Sequence, residues 1–298
     1  MRALKKLNLK DVLFIDIETS TAVPELKIDT PLFDSWAYKV KSQGLDNQQI
    51  IDSYAKEAAL YADFGRIVCI SIGRVFKDEF VTTTFNDFDE AEMLKKFFST
   101  LDKQDWILCG HAVKSFDIPY IFRRSIINGI IPHELIDTSG LKPWEMTGII
   151  DTKELWSAGG WDKSGLVNIT TAFGLPSPKE GITGAEVPAY FWKDPKGNIQ
   201  EISEYCERDV VAVYNVMKRF KNPEDLPVEQ LPLIKRLFNG ETYDEDYQKQ
   251  LVGLIKPMKE SDKEKVFVIL DSVVSTAAGK KTNFNKVSIK KLKELCQK

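Results

Sequence analysis

Seven consecutive residues, Val12-Leu13-Phe14-Ile15-Asp16-Ile17-Glu18, constrain this chain more than any other feature. β-Branched and aromatic side chains in so short an apolar run predict a buried strand. Asp16 and Glu18 stand two apart, so on a strand they share one face. Two carboxylates side by side in apolar surroundings are costly unless a cation lies between them. The plainer alternative is a strand end whose acids point to water, and the pair alone leaves both readings open.

The segments that follow predict an α/β protein built around one sheet. Residues 66–74 (RIVCISIGR) and 79–85 (EFVTTTF) have strand character and are joined at Lys77-Asp78. Ala91, Leu94, Phe97 and Leu101 recur at helical spacing behind acidic residues that suit a first turn. Trp106 to Gly110 reads as a fourth strand and Gly148 to Asp151 as a fifth. Between them a helix is expected from Phe116, capped by Ser115, with Pro119 in its first turn and Gly129 as its stop. Ser164 to Gly174 predicts a short helix. Ile199 to Phe220 predicts a long one, with Ile202, Cys206, Val210, Val213 and Met217 along its apolar stripe. Three strands, then helix, strand and helix, make an α/β order. Residues 20–62, with Leu32, Phe33, Trp36 and Val40 at helical spacing, read as a helical insertion, and 221–298, after Asn222-Pro223, as a helical C-terminal subdomain.

Three further residues complete a constellation. Asp117 falls near a helix start, where an acid is favoured for ordinary reasons. Tyr205 and Asp209 are four apart on the long helix and therefore stack on one face. Taken singly, each has a plain explanation as a helix-start charge, a partly buried tyrosine or a surface acid. Taken together, acids at 16, 18, 117 and 209 come from elements that a single α/β sheet can bring beside its central strand. Four carboxylates and a phenol suit a hard cation, Mg²⁺ or Mn²⁺, rather than zinc. Two such ions can activate a water and stabilise the leaving oxygen of a phosphodiester, and Tyr205 fits a role in holding that water.

At these residues a family resemblance appears. Phe14-Ile15-Asp16-Ile17-Glu18-Thr19 resembles the first motif of the DEDD 3′–5′ exonucleases. Gly110 to Tyr120 (GHAVKSFDIPY) resembles the second motif, in the form found in proofreading domains of family-B DNA polymerases. Tyr205-Cys206-Glu207-Arg208-Asp209 is similar to the third, in its tyrosine-bearing (DEDDy) variant. With the three in order over about residues 8–220, the chain most resembles the stand-alone predicted exonucleases related to that proofreading domain. The resemblance implies a ribonuclease-H-like fold with a mixed five-stranded sheet flanked by helices, over residues 1–220. It implies two-metal hydrolysis that releases nucleoside 5′-monophosphates from the 3′ end of a single strand, with DNA favoured over RNA. Asp16, Glu18 and Asp209 would hold the first Mg²⁺ or Mn²⁺, Asp16 would bridge to the second, and Asp117 would help mostly through water. Tyr205 would orient the attacking water, while Thr19 and Phe116 would contact the terminal nucleotide. The second motif departs from the polymerases, which usually carry Asn where this chain has Ala112, so that substrate contact is either missing or supplied by His111, a structural or substrate-side residue rather than a metal ligand. A ribonuclease-D-like exoribonuclease would use the same acids, and a non-catalytic nucleic-acid-binding module could keep the fold.

Charge and the remaining signals add less. The net charge is −3, and residues 221–298 hold 15 Lys and Arg against 12 Asp and Glu, so the rest of the chain is acidic. Such a chain is no indiscriminate binder of nucleic acid, although the lysines from Lys280 to Lys298 could follow a polyanion or simply form a solvated helix face. No apolar run approaches the ~18 residues of a membrane span. Asp11, Asp16 and Glu18 interrupt the N-terminal stretch too soon for a signal peptide. Four cysteines with no C-x-x-C pair predict reduced, buried thiols and a cytoplasmic protein. Arg123 and Arg124 are open to backbone phosphate or to plain solvation. Trp156, Trp161 and Trp192 are open to base stacking or to packing, and Asp151 is within possible reach of the metal site. A replication or repair partner docking on the insertion or the C-terminal helices is compatible with all of this.

Overall fold

The computed structural model describes residue 4, residues 6–222 except 143, 162, 163 and 180, residues 234, 236, 237, 240 and 242–274 except 259, and residues 282–297. Pro223, Lys280, Lys281 and Lys298, which figure in the sequence reading, lie outside the described residues. Contacts divide the chain into two compact units, Met1–Lys221 and Asn222–Lys298.

The first unit is organised by a five-stranded sheet in the order β3-β2-β1-β4-β5. Strand β1 (Val12–Thr21) is central, antiparallel to β2 (Gly65–Phe76) and parallel to β4 (Ile107–Gly110). β3 (Glu79–Phe85) continues the antiparallel side and β5 (Ile149–Asp151) the parallel side. The β2–β3 hairpin closes on Lys77 and Asp78, both at positive φ (48° and 69°), as a tight hairpin of matching twist requires. β1 is longer than its apolar run suggests. Beyond Glu18 a bulge shifts the register, and Thr19, Ser20 and Thr21 then pair with Ile67, Arg66 and Gly65. Hydroxyl side chains hide that strand in a hydropathy reading, yet partners keep it paired.

After β1 the chain makes two helices, α1 (Pro31–Val40) and α2 (Asn47–Glu57). Thr30 caps α1, and Asp46 with Gln49 forms a reciprocal capping box on α2. Trp36, fully buried, meets Tyr54 and Phe64 edge-on in a small core of its own. A 3-10 turn (Ala58–Leu60) then returns the chain to the sheet, where the Ala59 carbonyl accepts from Thr19 Oγ1 (2.9 Å) and Tyr120 Oη (3.0 Å). Gly65 lets these segments close up, since a Cβ there would stand 2.2 Å from Tyr120 Oη.

One face of the sheet is covered by α3 (Glu90–Leu101, capped by Asp89) and α4 (Asp117–Ile127), which bury Met93, Leu94, Phe97, Ile118 and Ile121 against Ile15, Ile17, Ile67 and Ile70. α4 starts one residue later than the sequence suggests, and Ser115 is not its cap. The Ser115 hydroxyl donates back to Ala112 O, and the start of the helix is held instead by Phe116 and Ile118 N–H bonding to the carbonyls of Ala112 and Val113. The remaining elements are α5 (Thr152–Ser157), α6 (Leu166–Phe173), α7 (Val187–Lys193) and the long α8 (Ile199–Lys221). α8 buries Val210, Val213 and Met217 against Val12, Phe14 and Cys109, and its N-terminal half packs on Cys69 and Val68. The three described helices of the second unit, α9 (Glu245–Ile255), α10 (Glu260–Val274) and α11 (Lys286–Gln297), share a core of Leu251, Ile255, Val266, Leu270, Ile289 and Leu292. Lys286, Lys290, Lys291 and Lys293 thus belong to a helix whose apolar side is buried. No described helix is long and apolar enough to cross a membrane.

The two arginines of α4 have different environments. Arg123 is exposed. Arg124 lies inward, donating from Nε to Glu90 Oε1 at 2.9 Å and from Nη1 to Ala62 O at 3.0 Å, and its partner Glu90 also accepts Ile67 N–H at 2.8 Å. The pair therefore pins α3, α4 and β2 together, and both side chains are nearly closed to solvent, at 11% and 7% exposure. Arg124→Ala leaves a buried unpaired carboxylate and is expected to destabilise the first unit by roughly 3–5 kcal/mol, against less than ~0.5 for Arg123→Ala. Urea unfolding of the two variants checks this.

Candidate metal and catalytic site

Five of the residues singled out in the sequence converge at the middle of β1. Asp16 and Glu18 lie opposite Ser71 and Cys69 of β2, and one carboxylate oxygen each from Asp16, Glu18 and Asp209 lie within 4.8 Å of one another. Asp209 reaches them from the middle of α8, which crosses β1 and β2. Asp117, the first residue of α4, stands beside this trio, and its Oδ1 accepts the backbone N–H of Ile17 (3.1 Å), the residue between the two strand acids. Tyr205 is one turn before Asp209, almost fully buried, and its hydroxyl bonds the Asp209 carboxylate.

The electrostatics follow from this crowding. Burial pushes the carboxyls of Asp16 and Glu18 well above the ordinary range, and the neighbouring acids push them further. Asp117 is raised by burial to about 7, held back by the N–H groups of Asp117 itself and Ile17. Asp209 is raised, again mainly by burial, to about 6, with Lys179, Tyr205 and Arg208 opposing the rise. Burial and the three carboxylates also push the Tyr205 phenol up, which rules out Tyr205 as a base at neutral pH. An all-oxygen nest that resists its own ionisation calls for an added positive charge. The donor set fits a hard divalent cation and offers zinc neither thiolate nor imidazole.

Two residues of the nest were not legible beforehand. Lys179, in the connection between α6 and α7, donates from Nζ to Tyr205 Oη at 2.9 Å, and its charge favours the ionised forms of Glu18 and Asp209. Nothing in Pro176-Ser177-Pro178-Lys179 distinguishes it by periodicity, so only the fold reveals it. Cys206 is more than a core filler. Its thiol points at Asp16 Oδ2 (3.3 Å) and Asp16 O (3.4 Å), an orienting contact of the kind that fixes a ligand carboxylate. All four cysteines are free and buried.

Other candidates lie elsewhere. His111, in the β4–α4 loop, pairs through Nδ1 with Thr152 Oγ1 (3.0 Å), and burial lowers its pKa. Thr19 is buried, with its hydroxyl spent on Ala59 O. Phe116 is partly buried beside Tyr120, at a centroid distance of 5.4 Å. Asp151 is no part of the trio. Its carboxylate accepts the N–H groups of Ala112 (2.9 Å), Lys114 (3.2 Å) and Lys153 (2.9 Å), and so shapes the loop that leads to Asp117. Trp156 packs on Phe173 and Trp192 donates to Thr21, whereas Trp161 is 89% exposed.

The mixed five-stranded sheet flanked by helices, with carboxylates gathered on its central strand, is an α/β fold consistent with the ribonuclease-H-like fold of polymerase-B exonuclease domains. The chain belongs to the family described as predicted 3′–5′ exonucleases related to the exonuclease domain of PolB, whose model matches residues 59–229, more than half of the chain. It is accordingly a 3′–5′ exonuclease, with nucleic acid as its substrate. No curated protein matches the sequence. Among solved structures, the family B DNA polymerase of the hyperthermophilic archaeon Pyrobaculum calidifontis is similar, at 14% identity and a TM-score of 0.48. The match covers 88% of this chain and 29% of the polymerase.

The raised carboxyls give the metal-free protein a definite pH response. A group whose folded pKa exceeds its unfolded value of 3.8 adds stability below that value and loses it as pH rises through the folded pKa, here about 6 for Asp209 and about 7 for Asp117. The midpoint of thermal unfolding in EDTA is therefore expected to fall between about pH 4 and pH 7. Mn²⁺ should raise it more at pH 8 than at pH 5, and Asp209→Asn should raise it in EDTA at pH 8. Scanning calorimetry across that range measures all three.

Proposed function

We propose that this exonuclease removes nucleotides one at a time from the 3′ end of single-stranded DNA, releasing nucleoside 5′-monophosphates with the help of two Mg²⁺ or Mn²⁺ ions. The observation that carries the reading is the meeting of Asp16, Glu18 and Asp209 within 4.8 Å, with Tyr205 bonded to the third of them. The family's kinship with a DNA polymerase's exonuclease domain supports DNA over RNA. The free, buried thiols fit a reducing, cytoplasmic setting.

Asp16, Glu18 and Asp209, with Asp117 beside them, would hold the two cations. Bound there, the ions would lower the pKa of a water and neutralise charge on the leaving oxygen. The residues themselves do the rest. Tyr205 would orient the attacking water through its phenol, in exchange for one of the three partners that the phenol has now. It is held from one side by Asp209 and from the other by Lys179 and the Gly184 backbone. The Lys179 ammonium provides a positive charge for the scissile phosphate at the mouth of an otherwise acidic nest. Cys206 fixes the orientation of Asp16. Phe116, one residue before Asp117, would stack on the terminal base, and Thr19 would contribute mainly its backbone, its hydroxyl being engaged by Ala59.

Matched single-stranded DNA and RNA, labelled at the 5′ end, with Mg²⁺, Mn²⁺ or EDTA, test this reading. The expected outcome is a ladder shortening from the 3′ end, faster on DNA and absent in EDTA. Asp16→Ala and Asp209→Asn should lose at least ~10³-fold in rate while still binding the oligonucleotide, and Lys179→Ala about 10²-fold. Faster digestion of RNA would replace the DNA assignment with an exoribonuclease. Binding without cleavage by the wild type would leave only a nucleic-acid-binding module.

A further inference from the structure

A second cleft, of about 440 Å³, opens where the start of β2, the β3–α3 connection and the start of α8 meet. That volume is ordinary for a small-ligand site. Its charged lining is Arg66, Lys96 and Lys196 against a single acid, Asp87, and Asp87 is already paired with Lys96 at 2.7 Å. Two further acids act on Arg66 from outside the lining: Glu90, committed to Arg124 and to Ile67 N–H, and Asp89, which caps α3. Arg66 is thus a partly desolvated guanidinium. One of its terminal nitrogens donates to Phe88 O, while its Nε is buried without a hydrogen-bond partner in the protein. Phe88, 56% exposed, lies 4.6 Å from the guanidinium carbon and Phe191 lies 5.5 Å from it.

A buried donor left unpaired is costly, and a guanidinium fork matches phosphate oxygens better than most other acceptors. Phe88 also stacks on Phe191, with centroids 6.3 Å apart, and the exposed part of its ring suits a nucleobase. The place is also apt. Arg66 is opposite Ser20, two residues past Glu18 and so about 7 Å along the strand. Ile199, at the rim, precedes Tyr205 by six residues, about 9 Å along α8. Neighbouring nucleotides of one strand span such distances at ~3.4 Å or more each.

We infer that this cleft binds a nucleoside phosphate, its base on Phe88 and its phosphate on Arg66 and Lys196. The inference rests on the nuclease reading and extends it. The occupant is either a nucleotide upstream of the one being removed or the monophosphate already released.

The test uses the full-length chain, with Phe88→Ala and Lys196→Glu, both substitutions outside the carboxylate nest. The p-nitrophenyl ester of thymidine 5′-monophosphate is too short to reach both places and reports on the nest alone. Both variants should hydrolyse it within about twofold of wild type, while KM for a thymidine oligonucleotide rises about five- to tenfold. If the occupant is the released product, that KM is unchanged and inhibition by thymidine 5′-monophosphate weakens by a similar factor. The proposal is overturned if neither the KM nor the inhibition moves. Wild type that hydrolyses neither substrate defeats the nuclease reading instead. Calorimetric titration with thymidine 5′-monophosphate then decides the cleft by itself: binding that Lys196→Glu loses upholds it, and no binding by the wild type overturns it.

Discussion

Placing ionisable carboxyls in the driest strand of a sheet is the constraint to which the rest of this structure answers. Asp16 and Glu18 interrupt a strand whose neighbours Leu13, Phe14 and Ile15 are essentially closed to solvent. Their cost is tolerable only if the surroundings supply donors and positive charge. The topology provides both. An antiparallel partner on one side and a parallel one on the other leave β1 in the middle, with a helix start beyond β4 and a long helix across the opposite face. The bulge after Glu18 marks where strand geometry yields to the site, as bulges beside active sites commonly do.

α8 must hold Tyr205 and Asp209 in register with those acids, and its anchor is a carboxylate clamp. Glu207 accepts from Thr82 Oγ1 (2.9 Å) and Thr84 Oγ1 (2.6 Å) of β3, and Thr84 in turn bonds Ser71 Oγ (2.7 Å). Ser71 is the strand partner of Asp16. Within five residues of one helix, then, Tyr205 and Asp209 face the nest, Cys206 orients Asp16, and Glu207 ties the helix to the outer strand. The third motif is therefore both a set of side chains facing the nest and a fastening, which is why one helical turn carries so much of it.

The acids were legible because their type is improbable where they stand. An aspartate in an isoleucine-rich strand, or an acid and a tyrosine four apart at the edge of an apolar stripe, conflicts with burial unless chemistry explains it. Lys179 produced no such conflict, since a lysine in a proline-containing loop is unremarkable until α7 brings that loop against Tyr205. Arg124 shows the reverse limit. An arginine pair at the polar side of a helix suggests solvent, yet only the spatial approach of Glu90 decides which of the two turns inward. The extension of β1 to Thr21 was hidden for a similar reason: Thr, Ser and Thr carry weak strand signals, and pairing with Gly65 to Ile67 outweighs them. The false cap at Ser115 followed from reading a hydroxyl by position when its acceptor, Ala112 O, lies behind it in a turn.

That turn also accounts for β5, a strand of three residues at the sheet edge. Ala112 sits at φ 59°, a left-handed conformation that costs a residue with a Cβ and that asparagine bears more easily. The chain has no asparagine there, so the conformation must be imposed from outside. Asp151, the last residue of β5, imposes it by accepting the N–H groups of Ala112 and Lys114, while the neighbouring Thr152 bonds Gly110 O and His111. Held in this way, the loop delivers Asp117 to the N–H of Ile17. Strain at one alanine is thus balanced by a buried carboxylate outside the acid trio, whose charge also raises Asp117. The shortest strand of the sheet earns its place by fixing a side chain on the helix beyond it.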